Sequence, residues 1–173
     1  MKKIVFTLLI LHFSLIISIA QWIQQQSGTN LHLRGVSFVN KNTGFISGGI
    51  YDGVILKTTN SGINWIQQIY IDTNYLQGIY MLDVNTGVAV GSLGIIIRTS
   101  NGGINWIKIT SPVTTELRNI YFINDNIGYI VGDYVLMTTN GGYNWTIMNN
   151  IPSFLTLLYD IKFFSLNTGF IVG

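Results

Sequence analysis

Apolar residues in this chain come in short bursts, and turn-forming residues cut between them at regular intervals. Between positions 76 and 109 the bursts are Leu76–Leu82, apolar on both faces, then Val88–Gly91, Ile95–Thr99 and Trp106–Ile109. Each is too short to be a helix and rich in β-branched or aromatic residues, so each predicts a strand. The intervals between them predict turns. Asp83-Val-Asn85-Thr-Gly87, Ser92-Leu-Gly94 and Asn101-Gly-Gly103 supply residues that accept left-handed backbone or cap their own loops. No stretch beyond residue 20 sustains a helical period.

The same pattern recurs along the chain. Thr58-Thr-Asn60-Ser-Gly62-Ile-Asn-Trp65 returns as Thr99-Ser-Asn101-Gly-Gly103-Ile-Asn-Trp106 and as Thr138-Thr-Asn140-Gly-Gly142-Tyr-Asn-Trp145. Counting from Trp22, successive tryptophans are 43, 41 and 39 residues apart. A second marker keeps the same beat at Asn42-Thr-Gly44, Asn85-Thr-Gly87, Asn126-Ile-Gly128 and Asn167-Thr-Gly169. Four short strands every ~40 residues is the period of a propeller blade. The fold class expected is therefore all-β: a β-propeller of four-stranded antiparallel blades, about three and a half of them present. Full blades are expected at 31–68, 76–109 and 117–148, with an incomplete one at 155–173. Trp22-Ile-Gln-Gln aligns with Trp65-Ile-Gln-Gln, so residues 22–26 are expected to form the outer strand of a closing blade, within one partial propeller domain spanning 21–173. The repeat stops after Asn167-Thr-Gly169-Phe-Ile-Val-Gly173, where the matching Asn126–Gly132 runs on into another strand. The expectation is a fragment of a ring of about six to eight blades.

The first twenty residues read differently. Lys2 and Lys3 precede an apolar run from Ile4 to Ile19, and Ser18-Ile-Ala20 offers small residues for cleavage. Residues 1–20 are thus expected to be a signal peptide. At 16 residues the run is shorter than the ~20 that span a bilayer core. The remainder is expected to be extracytoplasmic (secreted, periplasmic or cell-surface), with no stable membrane span after cleavage. The chain has no cysteine, so its stability rests on packing without disulfides. Setting aside Lys2 and Lys3 leaves seven basic residues against seven acidic ones. That balance argues against nucleic acid as a partner, which needs a clustered basic footprint.

The hairpin phrase has a structural reading. Thr58, Thr99 and Thr138, with Asn60, Asn101 and Asn140, offer oxygens to loop amides. Gly62, Gly103 and Gly142 take a backbone costly for other residues, and Trp65, Trp106 and Trp145 pack beneath. Placed between third and fourth strands, Thr-x-Asn-x-Gly-x-x-Trp resembles the Asp-box, or BNR repeat, of sialidases, sortilin-like receptors and some glucanases. The fuller unit, with Gly94-Ile-Ile-Ile-Arg98-Thr99 before the box, resembles the photosystem II stability/assembly factor family of propellers. The resemblance covers nearly all of residues 22–173. It implies the propeller fold and a protein-binding or assembly role, with glycan hydrolysis kept open by the sialidase and glucanase relatives. One departure is Asn for the usual Asp at 60, 101 and 140, which caps the hairpin without charge and disfavours a metal there.

Strand order places the hairpins and Asn-x-Gly turns on one face. The loops joining fourth to first and second to third strands lie on the other, with Tyr51, Asp52, Asp72, Tyr75, Glu116 and Asp133. At the start of the innermost strands, equivalent positions carry Arg34, Gln77, Arg118 and Tyr159. These are the expected partner-binding residues: two arginines at a channel mouth can grip a carboxylate or phosphate. The alternative is that each arginine pairs with a neighbouring acid such as Glu116 or Asp160.

Catalytic readings find little material. Glu116 is the only glutamate, and the six aspartates sit mostly in turns that differ between units, whereas glycosidases use two opposed carboxylates. Arg34, Arg98 and Arg118 number three, as a sialidase triad requires, but Arg98 occupies a third-strand repeat position. His32 is the one histidine beyond residue 20, too few for a zinc cluster or a His-based triad. Asn144-Trp-Thr146 matches a glycosylation sequon, yet Asn precedes every box Trp, so the repeat accounts for it. The function expected is an exported, non-catalytic scaffold that binds a protein, without cofactor or metal. The alternative is a glycan-binding or glycan-hydrolysing propeller whose catalytic residues lie outside this sequence.

Overall fold

The computed structural model describes residues 23–149 and 157–173. The leader, Trp22 and residues 155–156 of the expected fourth blade lie outside the described residues. Within them the chain forms four antiparallel meanders. The first sheet holds β1 (Leu33–Phe38), β2 (Gly44–Gly49), β3 (Gly53–Thr58) and β4 (Ile66–Ile71). The second holds β5 (Leu76–Met81), β6 (Gly87–Gly91), β7 (Ile96–Thr99) and β8 (Ile107–Ile109). The third holds β9 (Leu117–Phe122), β10 (Gly128–Gly132), β11 (Val135–Thr138) and β12 (Thr146–Ile147). The fourth has β13 (Asp160–Ser165) and β14 (Thr168–Val172). First strands lie side by side, β1 against β5, β5 against β9 and β9 against β13. Sheets radiating from a hub of first strands make this a β-propeller of three full blades and a two-stranded fourth.

The cores lie between blades, which explains the unbroken apolar runs: β6 is buried on both faces. Phe45 and Ile55 of the first blade pack on Ile79, Met81, Ala89 and Ile97 of the second. Val88, Val90, Ile96 and Ile109 of the second meet Ile120, Phe122, Leu136 and Trp145 of the third. Polar clips cross the same interfaces. The hydroxyls of Tyr80 and Tyr121 donate to the carbonyls of Phe122 and Phe163, each at 3.2 Å. Lys57 Nζ donates to the Gly102 carbonyl at 2.7 Å, and Arg98 Nε to the Gly141 carbonyl at 2.9 Å. Both cations leave the same third-strand position and reach the hairpin of the next blade.

Each hairpin is built alike. The Thr138 hydroxyl accepts the N–H groups of Asn140 (3.3 Å) and Gly142 (3.1 Å) and donates to Asn140 Oδ1 (2.9 Å), which also accepts the Asn144 N–H (3.0 Å). Thr58 with Asn60 and Thr99 with Asn101 repeat this. Gly62, Gly103 and Gly142 take φ of +86°, +86° and +85°, where a Cβ is strained. The N–H groups of Ser61, Gly102 and Gly141 bond the carbonyls of Asn42, Asn85 and Asn126, tying each hairpin to the Asn-x-Gly turn of its own blade. The two markers share one face because they are hydrogen-bonded together.

Three features depart from the sequence reading. Ile23–Gln26 lie in no sheet, although an outer strand was expected over 22–26. An outer strand needs a third strand beside it, and the preceding blade that would supply one is absent among the described residues. Gln25 nevertheless lies beside Gly62 as Gln68 lies beside Gly103, so the segment occupies the place of an outer strand without its ladder. In the first blade, β4 runs on to Ile71 because β3, at six residues, offers a longer partner than the four of β7. The tryptophans are equivalent in place but not in burial. Trp145 is buried, whereas Trp65 and Trp106 are half-buried. Trp145 sits inside the core shared with the second blade, Trp106 at the edge of the core shared with the first, and Trp65 has no blade before it among the described residues.

Candidate functional site: a polar mouth framed by strand bulges

Arg34, Gln77 and Arg118 share a backbone irregularity. In the first blade Leu33 pairs with Gly48 and Gly35 with Ser47, leaving Arg34 without a partner across the ladder. Gln77 is skipped between Leu76 and Gly78, and Arg118 between Leu117 and Asn119. A bulge sets two residues against one and re-aims the extra side chain. Here it turns three polar side chains out of otherwise apolar strands toward one cavity. That cavity, about 300 Å³, is lined by Arg34, Gln77, Arg118, Asn119 and Tyr159 around the Gly35 and Gly78 backbones. Tyr159 reaches it from just ahead of β13, with its N–H on the carbonyl of Val172 (2.8 Å), the residue that Asp160 faces across the ladder.

The structure thus brings all four sequence-predicted mouth residues together. Close approach of the first strands makes this possible: a Cβ on Gly78 would stand 3.0 Å from the Asn119 Cα.

The acids do not pair as the sequence suggested. Glu116 accepts the Tyr75 hydroxyl (2.7 Å) and the Gln77 side-chain amide rather than an arginine. Asp160 accepts the Asn119 side-chain amide. Arg118 is paired, but with Asp133 across the ladder from its own blade, at 2.7 Å. The reason is reach: Glu116 lies one blade on from Gln77 and beside Tyr75, while Asp133 follows β10 directly behind Arg118. Arg34 has no carboxylate partner among the described residues. Its Nε makes a long 3.4 Å bond to the Gly49 carbonyl, and its guanidinium carbon lies 5.1 Å from the Tyr75 ring centroid. Arg118 lies similarly over Tyr159, at 5.3 Å. Each arginine is therefore braced on an aromatic face supplied by the next blade. The hydrogen bond to Glu116, reinforced by burial and by that carboxylate's charge, holds the Tyr75 phenol above its ordinary value against the opposing pull of Arg34 and Arg118. It stays a proton donor, which keeps Glu116 occupied.

The remaining loop-face residues lie apart from the mouth. Tyr51 projects into solvent, and Asp52 accepts the Tyr70 hydroxyl and the Thr73 N–H within the first blade. The residue that sequence reasoning missed is Asn119. Its signal was present: the equivalent position is glycine at Gly35 and Gly78, so an amide there breaks the repeat. Among the described residues no three His, Asp or Glu side chains converge as a metal site would require.

No protein-family model and no curated protein matches the sequence. Solved structures do. A YCF48 structure bound to D1 peptide superposes with a TM-score of 0.61 at 19% identity, covering 72% of this chain and 42% of that one. YCF48 from Cyanidioschyzon merolae gives 0.62 at 20% identity, over 83% and 50% of the two chains. The GH74 enzyme of Niastella koreensis gives 0.59 at 17% identity, over 75% and 24%. This chain spans half the length or less of these structures. At such identities the likeness is one of fold, and the fold is that of a propeller.

Proposed function

We propose that this chain is part of an exported β-propeller that binds a protein partner at the bulge-framed mouth, gripping an acidic or carboxylate-bearing stretch. The observation that carries the reading is Arg34: a guanidinium aimed into a shared cavity beside Arg118, braced on Tyr75, with no carboxylate of its own among the described residues. A carboxylate can accept two parallel N–H bonds from such a group. The YCF48 structure with a bound peptide supports a protein as the partner class, as does the assembly-factor resemblance of the repeat. On this reading the chain belongs to a longer ring of six to eight blades, and the Thr-x-Asn-x-Gly-x-x-Trp hairpins on the far face are structural.

The test is binding of an acidic peptide with a free C-terminal carboxylate, against its amidated and neutral counterparts, by calorimetry. Arg34→Ala and Arg118→Ala should each weaken the acidic peptide at least about tenfold, since losing one partner of a charged pair costs about 2 kcal/mol or more. Melting temperature should hold within a few degrees. Equal affinity for charged and neutral peptides, or indifference to both substitutions, would remove the reading. The alternative, a glycan-binding or hydrolysing propeller, draws on the GH74 likeness. Cleavage of a β-glucan or sialoside by the protein, abolished by replacing an acid, would put it first.

A further inference from the structure

On the carboxylate-binding reading of the mouth, we infer that Gln77 reads a second group of the same ligand residue, its backbone N–H, and that Glu116 holds the glutamine turned for this purpose. A glutamine amide has two ends: its oxygen accepts and its nitrogen donates. Here the choice between them is forced. Gln77 Nε2 donates to Glu116 Oε2, and an ionised carboxylate offers an amide nothing but acceptors. The Tyr75 hydroxyl occupies the other carboxylate oxygen at 2.7 Å, so the acid is pinned from two sides. Turning the amide over would set oxygen against oxygen. Gln77 Oε1 is therefore the end directed away from Glu116. Among the described residues it receives no hydrogen bond, and it is not one of the sealed, unpartnered polar atoms, which are Trp106 Nε1 and Thr115 Oγ1. It is an acceptor left open to the cavity that Gln77 lines.

Its neighbours say what it accepts from. The first strands run in the order β1, β5, β9, so Gln77 stands between Arg34 and Arg118, and all three are set into the mouth by bulges. The approach to the first blade is close: a Cβ on Gly35 would stand 2.8 Å from the Gln77 carbonyl. The residue ahead of each following first strand braces the mouth residue before it. Tyr75 lies against the Arg34 guanidinium, and Glu116 holds the Gln77 amide. A guanidinium thus has an aromatic face behind it, and the amide has an acid that fixes its orientation. The terminal residue of a peptide carries its carboxylate and its N–H on one Cα. It offers an acceptor to an arginine and a donor to Gln77 together, which a phosphate ion or a simple carboxylate does not. A site built to bond an N–H rejects an analogue lacking it, because the site's own acceptor is left unpaired.

The probe is a short acetylated acidic peptide ending in alanine, titrated by calorimetry against its amidated form and against an ester twin in which oxygen replaces only the last residue's N–H. The full chain should bind the ester at least about fivefold more weakly than the peptide. Gln77→Leu removes the acceptor and keeps the bulk, so peptide and ester should then bind alike while the free carboxylate is still preferred over the amidated end. Glu116→Ala frees the amide to turn and should shrink the same ratio, although Glu116 touches no ligand atom. The ester comparison on the unaltered chain stands whether or not either variant folds. Equal binding of peptide and ester, with the free carboxylate still preferred, would overturn the role of Gln77 and leave the carboxylate reading intact. A ratio that survives Gln77→Leu would do the same. No preference for the free carboxylate would remove both.

Discussion

Thr58, Thr99 and Thr138 are each about 1% exposed, and each hydroxyl takes two loop N–H groups while giving its own proton to an asparagine. Replacing Thr138 by valine keeps the shape and strands the buried Gly142 N–H. A loss of about 1–3 kcal/mol is expected by denaturant titration. Asn140→Asp, which keeps both acceptor contacts, should shift stability by less than about 1 kcal/mol. A similar comparison is built into the Asx turns. Asn40, Asp83 and Asn124 each accept two N–H groups of their own turn. For Asp83 partial burial pushes the carboxyl up. The amides of Asn85 and Thr86, the Thr86 hydroxyl and the Arg98 charge together outweigh it, so the folded value is lowered. A lowered carboxyl contributes stability above its unfolded value, and that contribution is lost as pH falls through the folded one. Asp83→Asn should therefore lower the melting temperature near neutrality, where the ionised carboxylate contributes, and narrow the further drop below about pH 4, the unperturbed aspartate range. An unchanged acid limb would mean that the turn carries no charge-dependent stability.

Strands and turns were largely readable from the sequence because their signals are local: Gly at φ near +86°, Asn and Thr at turns, β-branched residues between. What escaped was set by partners elsewhere. A bulge is a count of two residues against one on the neighbouring strand, so the skipping of Arg34, Gln77 and Arg118 is not written in β1, β5 or β9 alone. The Arg118–Asp133 pair escaped because the loop acids differ from unit to unit. The interblade cations were visible only as a recurring basic position, Lys57 and Arg98, with Met137 in the third unit. Their purpose appears in the packing. Arg98 is 6% exposed, bonds the Gly141 carbonyl and lies 3.8 Å from the Tyr143 ring centroid. Arg98→Met, the residue the third blade already uses, should cost roughly 1.5–3 kcal/mol, as expected for a charged hydrogen bond. It should also speed hydrogen exchange in the 141–143 hairpin of the next blade. Loss of stability without faster exchange there would mean that Arg98 acts within its own blade.

Because each blade touches only its neighbours, stability at the scale of the whole molecule should be graded along the arc rather than shared evenly. The second blade is flanked on both sides, with Val88, Ala89 and Val90 of β6 fully buried. The third carries the buried Trp145, while β14 is exposed along most of its length and β1 turns Val36 and Phe38 to solvent. The mouth straddles this gradient. Arg34 comes from the lightly covered first blade, Gln77 and Arg118 from the well-packed middle, and Tyr159 from the two-stranded end. Native-state hydrogen exchange should find the slowest amides in β6 and β10, intermediate ones in β2 and β3, and the fastest in β13 and β14. Modest denaturant should release the fourth blade first. If that release weakens an acidic ligand while the second and third blades stay protected, Tyr159 and its bracing of Arg118 contribute to the site. Exchange at one uniform rate across all four blades would mean a single cooperative unit, and would contradict stability built up from neighbour contacts.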